Sequence, residues 1–205
     1  MIVIVDCGMG NLGSIVNMLK KIGTQAQVSS DAAEIEQAES LILPGVGAFD
    51  TGMARLQELG LLHVLSHKAF DDKIPILGVC LGMQLLTRRS EEGRLPGLSW
   101  IDGETIRFQL DLSQSNLKIP HMGWNSVTIH REGSLFKGMD REARFYFVHS
   151  YHVICNDWQD ILTTTDYGCS FVSAVQRGNI MGAQFHPEKS HKFGMKLLKN
   201  FVELA

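Results

Sequence analysis

Through the first 90 residues, short apolar runs alternate with stripes of helical spacing, and this alternation restricts the possible folds more than any other feature of the chain. Residues 1–5 (Met1, Ile2, Val3, Ile4, Val5) predict a buried strand, Leu12, Ile15, Val16, Leu19 and Ile22 one face of a helix, and Ala26 to Ser29 a second strand. Leu41, Ile42 and Leu43 predict a third strand ending at Pro44, residues 51–70 carry Met53, Leu56, Leu61, Val64 and Leu65 at helical spacing, and Ile74 to Val79 predicts another strand. Strands in alternation with helices imply a parallel sheet covered on both faces.

Beyond Gly97 the pattern becomes β-rich, with strands expected at Trp100–Leu110, Trp124–His130, Ala143–Val148, Tyr151–Ile154, Ile161–Thr165, Phe171–Gln176 and Ile180–Phe185. The short breaks between them predict antiparallel pairing that extends the same sheet. A last helix is expected after Ser190 as cap, with Phe193, Leu197, Phe201 and Val202 as its stripe. The fold class expected is α/β: a central, mostly parallel sheet flanked by helices, with an antiparallel extension in the second half, all in one domain, 1–205.

A net charge of −3 without clustered basic residues argues against nucleic acid as a partner. No apolar run reaches the roughly 18 residues of a spanning helix, so no membrane partner and a cytoplasmic location are expected. The four cysteines lie far apart without C-x-x-C, and no pair of histidines has metal-ligand spacing, so neither disulfide, metal nor cofactor is expected.

Gly8, Gly10 and Gly13 form G-x-G-x-x-G after the first strand, with Asp31 downstream where a dinucleotide site would place its ribose-binding carboxylate. Alone the motif is weak, and nothing after it forms a domain for a reducible substrate. The loop is better placed as a surface at the carboxyl edge of the sheet.

The segment Ile74 to Leu86 carries the chemistry. A buried strand runs into Gly78-Val79-Cys80-Leu81-Gly82 and then into a helical pattern, a G-x-C-x-G turn. Glycines two residues either side relieve crowding in a sharp strand-to-helix turn, which would lift Cys80 clear as an exposed nucleophile. An isolated cysteine is ordinarily core packing, but unpaired N–H groups at a helix start favour the thiolate. In Gly182 to Ser190, His186 ends a strand and Glu188 follows two residues later, on the same face if the backbone stays extended. That pairing supplies a base and its orienting carboxylate. Acyl transfer also needs two oxyanion donors. The N–H of Leu81 is one candidate, and the Gly45-Val46-Gly47 turn, through Val46 and Gly47, offers the other.

G-V-C-L-G-M-Q around Cys80, F-H-P-E at 185–188 and P-G-V-G at 44–47 are three separated blocks that resemble the class I (triad-type) glutamine amidotransferases, in that family's order. The resemblance implies a flavodoxin-like glutaminase fold and a Cys80-His186-Glu188 triad that hydrolyses L-glutamine to glutamate and ammonia. It further implies that Gln84 and the backbone of His149, Ser150 and Tyr151 hold the amino-acid end of glutamine, with Gly45 near its other end. D-x-G-M-G-N-L at the start, P-H-M-G-W-N at 120–125 and F-Y-F-V-H-S-Y at 145–151 resemble the branch that feeds ammonia to a separate (β/α)8-barrel cyclase subunit in histidine biosynthesis. On that resemblance Asn11, Tyr146 and Lys189 would face the cyclase in a heterodimer. Glutaminase subunits of anthranilate, aminodeoxychorismate or pyridoxal phosphate synthesis, a silent binding module and a thiol hydrolase remain as alternatives.

Overall fold

A computed structural model of the chain describes residues 1–110, 117–131 and 133–204. In chain order its elements are β1 (Ile2–Val5), α1 (Leu12–Lys21), β2 (Ala26–Ser29), α2 (Ala32–Glu36), β3 (Ser40–Gly45), α3 (Phe49–Glu58), α4 (Leu61–Phe70), β4 (Ile76–Cys80) and α5 (Leu81–Leu85). There follow β5 (Gly103–Arg107), β6 (His121–Ser126), β7 (Thr128–Ile129), β8 (Arg144–His149), β9 (Tyr151–Cys155), β10 (Ile161–Asp166), β11 (Ser170–Arg177), β12 (Ile180–Ala183) and α6 (His191–Val202).

The main sheet has the order β2-β1-β3-β4-β12-β11-β10-β7, with β9 paired to β11 and β5 to β9. Its first five strands run parallel, and those beyond β12 run antiparallel. The parallel centre has two dry faces because alternate residues of one strand serve both. Ile2 and Ile4 of β1 pack with Ile15 and Leu19 of α1 and with Leu197 and Phe201 of α6. Val3 and Val5 pack instead with Phe49, Leu56 and Leu65 of α3 and α4.

Three expectations are corrected. The helical stripe at 51–70 is two helices, split at Gly60, whose φ of +68° suits glycine and ends the first helix while the apolar spacing carries on across the break. The second half does not all join the main sheet: β6 and β8 pair only with each other, as a separate ribbon. Phe145 and Phe147 of that ribbon are fully buried, and Phe145 stacks on Phe185 at 3.9 Å between centroids, so the ribbon is held by its inward face, with one bridge from Tyr146 to His186 at its edge. Ser190 precedes α6 but does not cap it with its side chain. Its Oγ donates to the His186 carbonyl at 2.6 Å and accepts from the Tyr146 N–H at 3.0 Å, tying ribbon and last helix together.

The glycine turn around Cys80 is required by close approach. A Cβ on Gly78 would lie 2.7 Å from the Gly82 carbonyl oxygen, and one on Gly82 would collide with the Leu43 carbonyl. Both obstacles are backbone and have nowhere to move. Gly82→Ala is therefore expected to cost at least about 3 kcal/mol of stability; a urea midpoint equal to wild type would contradict this packing.

Candidate active site

Cys80 closes β4 and opens α5 with φ +54° and ψ −111°, a strained conformation for a residue with a side chain. The strain turns the chain sharply and leaves Leu81, first residue of α5, with an N–H that has no helical acceptor. Cys80 is not exposed as its position on a turn suggested: it is 6% accessible. The segment Val148 to Tyr151 lines the same cavity, a neighbour that period-2 spacing gives no means to place there.

His186 and Glu188 meet as expected but not by strand alternation. His186 is extended, whereas Pro187–Lys189 form a 3₁₀ turn that folds the carboxylate back, so Nδ1 of His186 lies 2.8 Å from Oε1 of Glu188. Both side chains are 3% accessible. Nε2 of His186 is buried without a well-aligned hydrogen-bond partner among the described residues. Burial disfavours the charged ring, yet Cys80 first and Glu188 second outweigh it, and the imidazole pKa is raised to about 9. A raised value means that this interaction stabilises the fold fully below about 6.5 and loses its contribution as pH climbs through about 9. Long-range ¹H–¹⁵N spectra should find His186 protonated at neutral pH, with its midpoint falling in Cys80→Ala. An unchanged midpoint in that variant would show that the sulfur does not act on the ring.

The other cysteines differ. Burial, aided by the charge of Asp6, pushes the Cys7 thiol up to about 11, and burial pushes Cys155 to about 12. Cys7 also packs at 2% accessibility, in keeping with a packing role.

A cavity of about 360 Å³ opens at Cys80, near the lower end of the roughly 300–1,000 Å³ of small-molecule sites. Val46, Gly47, Leu81, Gln84, His149, Ser150, Tyr151 and His186 line it, so most of the residues singled out from the sequence converge there. Gly47 has φ +110°, a glycine conformation, in the turn facing Leu81. Gly45 lies behind this wall: it is in register with Cys80 across β3 and β4, and a Cβ there would press on the Leu81 side chain at 3.1 Å.

Asn11, Tyr146 and Lys189 are not among the residues that line the cavity. Asn11 caps α1 through its Oδ1, which accepts the Ser14 N–H at 3.3 Å. The Tyr146 carbonyl accepts the His186 N–H at 2.9 Å, and the Lys189 ammonium sits 5.7 Å over the Tyr146 ring. The glycine loop at 6–13 packs against Pro44 and Gly45 through Gly10, with β3 between it and Cys80. Asp31 caps α2 with bonds from the Ala33 and Glu34 N–H groups at 2.8 and 3.2 Å, which commits the carboxylate that a dinucleotide would need.

Glu92, Pro120 and Gln184 were not singled out from the sequence. Glu92 and Pro120 line the cavity from loops that carry no periodic signal. The Glu92 carboxylate accepts the Phe49 N–H at 2.8 Å and so caps α3, whose own cap residue Ala48 has no side-chain acceptor. Gln184, fully buried, donates to the Cys80 sulfur at 3.8 Å, and its two-residue spacing from His186, just beyond the end of β12, was the available clue. Away from the site, the structure also brings Glu36, His67 and Asp72 together, which spacing did not suggest, but the Lys68 ammonium already sits 2.7 Å from Asp72.

A strained cysteine on a strand-to-helix turn, backed by a buried His–Glu pair at one edge of a parallel sheet, is the arrangement of a triad glutaminase. The chain belongs to the class I glutamine amidotransferase family, whose pattern matches residues 3–204. Its relatives are named more narrowly. Imidazole glycerol phosphate synthase subunit HisH 2 of Methanococcus maripaludis is 55% identical over 205 residues, and the subunit of the same name in Pseudomonas aeruginosa is 52% identical, each match covering 100% of both chains. The structure of PurLQS from Thermotoga maritima shares the fold, with a TM-score of 0.72 at 16% identity over 98% of this chain and 97% of that one. Among the described residues no helix is long and apolar enough to cross a membrane.

Proposed function

We propose that this chain is the glutaminase subunit of an imidazole glycerol phosphate synthase, acting as one domain over 1–205 and passing ammonia to a (β/α)8-barrel cyclase subunit in a cytoplasmic heterodimer. The observation that carries the chemistry is the buried His186–Glu188 pair beside the strained Cys80, at the floor of a cavity sized for one small ligand. The full-length relatives named as synthase subunits support the choice of pathway.

In this reading the Cys80 thiolate attacks the side-chain amide carbon of L-glutamine. The developing oxyanion is held by the Leu81 N–H and by the peptide of Val46 and Gly47. The His186 imidazolium gives its proton to the departing nitrogen, which leaves as ammonia, and Cys80 is left as a γ-glutamyl thioester. Neutral His186 then takes a proton from water, the hydroxide so generated displaces sulfur, and glutamate leaves with the thiolate–imidazolium pair restored. Glu188 keeps Nδ1 protonated, so that Nε2 is the nitrogen that exchanges protons. Gln84 and the backbone of His149, Ser150 and Tyr151 hold the amino-acid end of glutamine, with Gly45 behind the other end.

The cyclase meets the surface that carries Asn11, Tyr146 and Lys189. Met122 and Trp124 support this placement: they lie opposite Val148 and Tyr146 on the ribbon and are 62% and 46% exposed beside the cavity. Glutamate release should be measured with the chain alone and with a (β/α)8 cyclase and its bound ligand. Release that rises on adding the loaded cyclase is expected, and no release in either state would overturn the proposal.

A further inference from the structure

Cys80 has a second side-chain neighbour besides His186, and its donor direction can be worked out from the backbone. Amide nitrogen and oxygen look alike in shape, so a glutamine's orientation must be argued from partners that have only one role. The Tyr151 carbonyl is such a partner, since it can only accept. The Gln84 amide lies 3.1 Å from it and must present Nε2. The second hydrogen of that nitrogen goes to Gln184, 3.1 Å away, which must therefore present Oε1. Gln184 is left with Nε2 toward the Cys80 sulfur at 3.8 Å. Every side chain in this series is buried, with Gln184 fully enclosed and Gln84 5% accessible.

The anchor is itself fixed. Nδ1 of His149 lies 2.8 Å from the same carbonyl and must carry a hydrogen, which fills the second lone pair of Tyr151. Nε2 of His149 then accepts from His121 Nδ1 at 3.1 Å, and His121 Nε2 accepts from Asn125, whose amide nitrogen is fixed by the Asp166 carbonyl at 2.9 Å. Burial lowers His149 to about 3 and His121 to about 4, so both rings stay neutral and no proton rearrangement disturbs the series near pH 7.

We propose that Gln184 is a positioning residue for the nucleophile: it holds the Cys80 sulfur by an N–H bond that strengthens as the thiolate forms, and Gln84 and the Tyr151 carbonyl prevent its amide from turning over. Hydrogen bonding to the charged form of an acid favours that form, so Gln184 acts on thiolate population as well as on sulfur position. The other titratable groups around the sulfur are His186 with Glu188 behind it, from the turn after β12, and Glu92, His149 and Tyr151 in the lining of the same cavity.

The test is the pH profile of Cys80 alkylation by iodoacetamide. In Gln184→Met, close in shape but without a donor, the midpoint is expected to rise by about one pH unit, with kcat on glutamine down about tenfold and KM changed less than about twofold. Gln184→Glu, which puts an acceptor in the donor's place, should move the midpoint further in the same direction. A folded variant with the wild-type profile would overturn the assignment. Should neither variant fold, the wild type decides: the Gln184 side-chain N–H resonance is expected to titrate with the alkylation midpoint, and a resonance flat across it refutes the bond. The inference rests on Cys80 as nucleophile, yet alkylation needs no glutamine turnover. An inactive wild type would sink that reading, whereas an unshifted Gln184 variant sinks only this one.

Discussion

Cys80→Ala is expected to lower glutamine hydrolysis by more than about 10³-fold while leaving the complex able to make product from added ammonia. The size of the loss follows from the division of labour within the site. His186 and Glu188 are already paired at 2.8 Å and would remain so, but with no sulfur to accept the γ-glutamyl group the covalent step is absent. With the synthase step on the proposed partner subunit, ammonia bypasses the lesion. Steady-state assays of the reconstituted complex, with glutamine and with an ammonium salt, measure both arms. Loss of both activities in an intact complex would contradict a separate synthase site.

His186→Ala should be nearly as damaging, whereas Glu188→Gln should cost clearly less, about 10- to 100-fold. In the proposed mechanism, removing the imidazole deletes the proton donor for ammonia and the base for water in one step. The Glu188 replacement keeps the buried shape and one hydrogen-bonding oxygen, so its loss comes from a less stabilised imidazolium. The pH profile should move with it: less opposition to the burial cost brings the His186 midpoint down from about 9, so the acid form is lost earlier as pH rises. Equal losses for the two variants would mean that the carboxylate does more than orient and stabilise the ring.

Much of this site was legible because its constraints are local. The glycines at 78 and 82 are needed where backbone passes backbone within a few residues of Cys80, so that turn announces itself in the chain. The alternation of β1, α1, β2 and β3 is likewise written as short apolar runs between stripes of period 3.6, and the parallel pairing followed from it. Contacts between remote segments were another matter. Period-2 spacing identifies a strand but not its partner, so nothing at 121–126 or 144–149 told that these strands would leave the main sheet and form a ribbon by themselves. For the same reason Cys80 was expected to be exposed, whereas it is buried in a cavity that the remote 148–151 segment also lines. Glu188 reached His186 through a 3₁₀ turn that Pro187 starts, a local cue that extended geometry concealed. Glu92 gave no signal, because a carboxylate capping a helix 43 residues away in sequence has no pattern to read.

In the proposed reaction residue 80 carries the acyl group of glutamine. Acid-quenched enzyme taken during turnover with its loaded cyclase, digested and analysed by mass spectrometry, measures this directly. The account predicts one γ-glutamyl group on the peptide that contains Cys80, lost on mild alkaline hydrolysis and missing from the Cys80→Ala protein. Turnover with an adduct on Cys7, Cys155 or Cys169 in its place, or with the same adduct persisting after Cys80→Ala, would contradict it.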